Sequence, residues 1–329
     1  MKNKKRLSII SILVGASLLS ACGAGDSKVA LGDYWNTNPT IEQRVNETAV
    51  YEVAFEADSG LESVNYDLTY ANGKYKTILE TETGSGGVIQ YRYRTEFSID
   101  AIFTKDGEIS TVTDSVVTEV VFGGEADLFR PISSYRAVES HSPTNKSGSS
   151  LESCYKHYKY TIETAYAADG GKSTATIVDL NADEPTPRVQ KFTASGGKKS
   201  YVDNEQLILM LRAIPSGTSS AKIKTYSPYV EAKQTIKYSF DGKEEDVFEF
   251  KENGTDVKRS IVYYPVDMVL SSSNPGATQT AWVAKAGEGT GASNQYNPNR
   301  NIMLKLETPL PYMLGKLVYT LKTVDYTVA

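Results

Sequence analysis

Residues 88–99 read Val-Ile-Gln-Tyr-Arg-Tyr-Arg-Thr-Glu-Phe-Ser-Ile, and their alternation constrains the fold more than any other feature of the chain. Ile89, Tyr91, Tyr93, Phe97 and Ile99 fall on one side, with Gln90, Arg92, Arg94 and Glu96 on the other. A period of two over this length predicts a strand with one buried and one wet face. Residues 64–70 repeat the device, setting Val64, Tyr66, Leu68 and Tyr70 against Asn65, Asp67 and Thr69. Residues 156–166 set Tyr158, Tyr160, Ile162 and Tyr166 opposite His157, Lys159 and Glu163. One-sided burial belongs to antiparallel sheets, since parallel ones are covered on both faces by helices. Tyrosine supplies much of the apolar face, with 22 residues against 9 Phe and 2 Trp. It favours strands and pairs well across them.

The turn residues agree. Asn72-Gly73, Asp106-Gly107, Asp241-Gly242 and Asn253-Gly254 each lie between strand-like segments and accept the positive φ of tight hairpin turns. Two of them divide residues 235–264 into what reads as a three-strand meander. Residues 301–307 and 316–326 read as final strands, joined through Pro309 and Pro311.

One stretch departs from the pattern. In residues 201–215, Asp203 stands as an N-cap with Gln206 three positions on, a capping-box arrangement, and Pro215 marks the end. Leu207, Ile208, Leu211 and Ile214 share a helical face, while Leu209 and Met210 carry apolar surface round the other side. Such a helix is a buried one; the competing reading is a buried strand of the same length. The expected fold is therefore mainly β, a curved antiparallel sheet or open barrel wrapped around one buried helix over residues 203–214. In that fold Leu207, Ile208 and Leu211 would line a ligand cavity.

The N-terminus carries a different message. Lys2, Lys4, Lys5 and Arg6 precede an apolar run from Leu7 to Leu19. Thirteen residues make a helix of about 20 Å, short of the roughly 30 Å hydrocarbon core, so the run reads as a secretory signal peptide. Its exit, Leu19-Ser20-Ala21-Cys22, resembles the lipobox of bacterial lipoproteins. The resemblance implies diacylglyceryl transfer to Cys22, cleavage before it, and attachment to the membrane through acyl chains such as palmitate. Two or more chains make a stable anchor. Residues 1–21 are thus read as signal peptide and 22–48 as lipidated N-terminus and tether. Residues 49–329 form one β-rich unit, or two lobes with a junction near 141–150.

Removing the four leading basic residues from 35 leaves 31 against 40 acidic ones, a formal charge of −9. That balance disfavours nucleic acid, whose phosphates demand clustered Lys and Arg. With Cys22 acylated, Cys154 is left without a disulfide partner and reads as a small buried residue.

The inferred open barrel closed by a helix resembles the lipoprotein-carrier fold of bacterial envelopes. A looser resemblance, to exported bacterial β-proteins of unknown function, rests on Asp203–Pro215, Trp282 and the Pro309–Gly315 stretch. Both imply fold more than activity.

Catalytic and metal motifs are weak. His157 falls on the polar face of a strand and His141 in the Pro, Gly and Ser-rich connection 141–150. Gly171-Lys172-Ser173 imitates the end of a phosphate-binding loop, but Tyr166 stands where its first glycine belongs and a strand, not a helix, follows. Asp179, Asn181 and Asp183 begin like a calcium loop, yet Glu184 replaces the turn glycine and Gln190 the bidentate glutamate. Glu52/Glu56 and Glu244/Glu245 read as solvated faces. No catalytic residue, cofactor or metal ligand is assigned. The long 284–300 loop reads as mobile. The expected function is a non-enzymatic binding or carrier module for a hydrophobic or lipid-like molecule. The alternative is a structural or protein-interaction component of the cell envelope with a solid core.

Overall fold

The computed structural model describes residues 37–38, 43–123, 129–145, 148, 150–168, 171–195, 200–214, 218–270, 278–284 and 302–328. Cys22, the signal peptide, Pro215 and nearly all of the 284–300 loop lie outside them. The chain is mainly β, as expected. Its strands are β1 (Thr37–Asn38), β2 (Gln43–Ala57), β3 (Asp67–Thr83), β4 (Ile89–Lys105), β5 (Glu108–Gly123), β6 (Arg130–Pro143), β7 (Tyr155–Ala165), β8 (Lys172–Asp179) and β9 (Arg188–Thr193). After them come β10 (Ser200–Tyr201), β11 (Ser220–Ser227), β12 (Ala232–Phe240), β13 (Glu244–Glu252) and β14 (Thr255–Leu270). The last are β15 (Gln279–Ala284), β16 (Met303–Pro309) and β17 (Gly315–Val328). Among the described residues the one α-helix is α1 (Leu207–Ala213), preceded by a 3-10 turn at Asn204–Gln206.

Strands β2 to β9 pair consecutively and antiparallel. On the other flank β2 pairs with β17, followed by β16, β15 and β14. β13 joins β14 antiparallel and β17 parallel, through Lys251↔Thr323 and Glu252↔Val324, so β13 to β17 close a five-stranded barrel. β12, β11 and β10 continue from the far half of β14. Near the sheet's two ends, β9 and β11 meet through side chains: Phe192 stacks on Tyr226 at 4.0 Å and Tyr226 Oη donates to Gln190 Oε1 at 3.0 Å.

The alternating residues are placed as the sequence indicates. Tyr91, Tyr93, Phe97, Ile99, Tyr158, Tyr160 and Ile162 are all buried. Every residue of α1 is buried too, so the segment is a plugged-in helix rather than a strand. Side chains from β2, β6 and β12, far apart in the sheet, all reach the segment around it. The sheet wraps it.

Several local expectations need correction. Asp106-Gly107 and Asn253-Gly254 do make two-residue hairpin turns, with positive φ at all four residues. Asn72-Gly73 makes no turn; β3 runs through it with a register shift between Ala71 and Lys74. There a Cβ on Gly73 would sit 2.3 Å from the Val53 carbonyl oxygen, so the glycine serves close strand approach. Asp241-Gly242 links β12 to β13 without a hairpin. Both strands pair in tandem with β14, whose sixteen residues accommodate the two, and this replaces the meander. The connection expected from residue 141 begins later, because β6 continues through Pro143.

Candidate functional site

Two rows of inward-facing residues cross the large sheet beside α1. Cross-strand register aligns Ala49, Thr77, Thr95, Thr118, Arg136 and Ile162 in one row. The next row holds Glu47, Leu79, Tyr93, Val120, Ser134 and Thr164. Interior rows are ordinarily apolar, and buried polar groups need partners. Thr95 and Thr118 satisfy each other through their hydroxyls at 2.8 Å. Ser134, Arg136 and Glu47 instead bind the helical segment.

Asp203 caps that segment. Its Oδ1 accepts from the Glu205 amide at 2.7 Å, and Gln206 Oε1 accepts from the Asp203 amide at 2.8 Å, completing the capping box read from the sequence. Gln206 Nε2 then donates to the Phe129 carbonyl at 3.1 Å. The other Asp203 oxygen accepts from Ser134 Oγ at 2.7 Å and from the Tyr166 hydroxyl. Burial, reinforced by the nearby Glu205 charge, pushes the Asp203 carboxyl up to about 6. Burial likewise pushes the Tyr166 phenol well above its ordinary range, so it remains a donor.

Two ion pairs flank α1. Arg136 Nη1 on β6 reaches both oxygens of Glu205, at 3.0 and 3.2 Å. Burial opposes charge on Arg136, but Glu205 and the adjacent Tyr160 outweigh it and the guanidinium stays protonated. At the other end Arg212 forks onto Glu47 of β2, at 2.7 and 2.9 Å. Tyr238 Oη on β12 donates to the Leu207 carbonyl at 2.9 Å. The helix is therefore held by polar contacts to strands on several sides while its apolar side chains fill the space between.

Leu207, Ile208 and Leu211, expected to line a cavity, lie together in the main buried cluster with Leu209 and Met210. The sequence identified Asp203 as a cap but gave no signal that Arg136, on β6, would face Glu205 in the turn it caps; the wrapping of the sheet around that turn brings the two together. Cys154 is buried at the end of a 3-10 turn, and burial raises its thiol. His141, expected in a loop, belongs to β6 and is buried. Its Nδ1 lies 3.0 Å from Asp114 Oδ1, and its ring stacks on His157 with centroids 4.4 Å apart. The cause is register, which sets His141 opposite His157. Among the described residues no group of three or more His, Cys, Asp or Glu side chains could hold a metal ion. Asp179, Asn181 and Asp183 are exposed. Glu52 pairs with Lys322 and Glu56 with Lys316 on the surface, while Glu244 accepts from the Tyr263 hydroxyl.

A scan against protein-family models finds no match to this chain. A search of the curated proteins finds none either. Among solved structures, the chain is similar to the crystal structure of a beta-barrel-like protein of domain of unknown function DUF1849 from Brucella abortus. The two are 10% identical, with 86% of this chain and 98% of that one covered, at a TM-score of 0.44.

Proposed function

We propose that the protein is a membrane-anchored extracytoplasmic lipoprotein that binds or carries a hydrophobic or lipid-like ligand without transforming it. The observation behind this reading is α1: an apolar helix enclosed by a curved sheet and fixed there by discrete polar contacts. A concave apolar interior, here filled by α1, is the kind of site in which small hydrophobic ligands are held. The anchor rests on the lipobox resemblance of Leu19–Cys22. It is tested by metabolic labelling with a palmitate analogue, which Cys22→Ser should abolish.

Native mass spectrometry of the protein purified from cells tests the carrier role. A retained lipid-like mass, diminished by Leu211→Trp, is the expected result. A clean mass that persists after exposure to membrane lipid extract would overturn it. That outcome would favour a structural or interaction component of the envelope. The observation on that side is the main buried cluster, which runs continuously from the sheet through α1.

A further inference from the structure

Arg136 is used below its capacity. A guanidinium presents two edges suited to bidentate carboxylate or phosphate recognition. Here Nη1 alone serves both Glu205 oxygens, while the buried Nε and Nη2 meet no carboxylate and have only the Tyr160 hydroxyl beside the guanidinium. Immediately after Glu205 and Gln206 the chain presents Leu207, Ile208, Leu209, Met210 and Leu211, all buried. An anionic head on Arg136 followed by an apolar stretch inside the sheet is the chemical outline of an anionic amphiphile.

The geometry points to residues 203–214 acting as a built-in substitute ligand, with Arg136 as the headgroup site for an anionic single-chain amphiphile that displaces Glu205 and α1. This deepens the carrier reading above and rests on it. Displacement gives Arg136 a new anionic partner and the apolar wall a new filling, but it also parts Arg212 from the buried Glu47, a cost that the guest's head and chain must offset. A carboxylate or phosphate head could in addition engage the Nε–Nη2 edge that Glu205 leaves unused. Tyr160, beside the guanidinium, and the Thr95–Thr118 pair one step along the row give the head a polar surround. Glu205 thereby sets the affinity: it competes with the guest for Nη1.

The test titrates the full chain with laurate, dodecyl phosphate and dodecanol, each below its micelle or solubility limit. Calorimetry reads affinity and hydrogen exchange reads residues 203–214. Laurate or dodecyl phosphate should bind more tightly than dodecanol and should raise amide exchange across 203–214. The stronger of the two identifies the head as carboxylate or phosphate. Glu205→Gln should tighten binding of the anion about tenfold, the order of one charge-assisted hydrogen bond. Arg136→Gln should erase the preference over dodecanol, and Arg136→Lys should restore part of it. Should the Arg136 variants fail to fold, the exchange of the unaltered protein still decides. Dodecanol binding as tightly as the anions, or anion binding with unchanged exchange in 203–214, overturns this proposal and leaves the carrier reading standing. No binding of any of the three overturns both.

Discussion

Arg212 on α1 and Glu47 on β2, 165 residues apart in the chain, form a buried two-pronged ion pair at 2.7 and 2.9 Å. A pair like this is worth little more than a well-packed apolar replacement, but halving it strands a charge. Glu47→Ala should therefore lower stability by about 3–5 kcal/mol, whereas Glu47→Leu combined with Arg212→Met should recover most of that loss. Urea midpoints of the three variants check the ordering. A double variant as unstable as the single one would contradict it.

Asp203 gives a pH dependence with a definite sign. Its folded carboxyl is raised to about 6 from an ordinary 3.8, so between those values the folded state binds a proton that the unfolded chain does not. Stability from this group must then rise as pH falls through 6 and level off below about 4, by roughly 2–3 kcal/mol. Asp203→Asn keeps a good N-cap and should flatten this part of the profile. Thermal melts at pH 7, 6, 5 and 4 compare the two proteins.

Two glycines make opposite predictions. At Gly73 a methyl group would strike the Val53 backbone carbonyl, so Gly73→Ala should cost on the order of 3 kcal/mol or more through strand displacement. At Gly242 nothing lies within 4 Å and φ is not positive, so Gly242→Ala should be neutral or stabilising by up to about 1 kcal/mol. Denaturant midpoints separate them directly.

Cys154 should be silent in the folded protein. It is buried and its thiol is raised by desolvation, and reaction requires an exposed thiolate. Maleimide labelling of the Cys22→Ser chain should be negligible under native conditions and rapid in urea. Fast native labelling would mean that the turn at Leu151–Cys154 opens readily.

The strands and the helix could be read locally because each carries its own signal. Tyr91, Tyr93 and Phe97 alternate with charged neighbours, and Asp203 with Gln206 writes a capping box into four residues. Pairing was less legible. The Asn72-Gly73 dipeptide has the composition of a turn, and only the close approach of Val53 reveals that it serves a bulge. Asp241-Gly242 misleads for a related reason: whether two strands joined by a turn pair with each other depends on what a third strand offers, and β14 offers room for both. The polar surround of α1 was the least visible part. Arg136 and Glu205 lie 69 residues apart, and nothing near either one announces the other. His141 reads as a loop residue because Pro143 and several serines follow it, yet its strand has not ended there.

The pairing of β2 with β17, from Gly315↔Ala57 to Val328↔Val45, has a kinetic consequence. The earliest long strand waits for the last one, so loop closure spans most of the chain before this ladder can form, and such non-local pairing is slow. During synthesis the barrel's ring stays open until β17 has left the ribosome. Up to that moment the edge of β2 that β17 will cover stays open, so the fourteen residues of the last strand decide when the two flanks of the sheet become one.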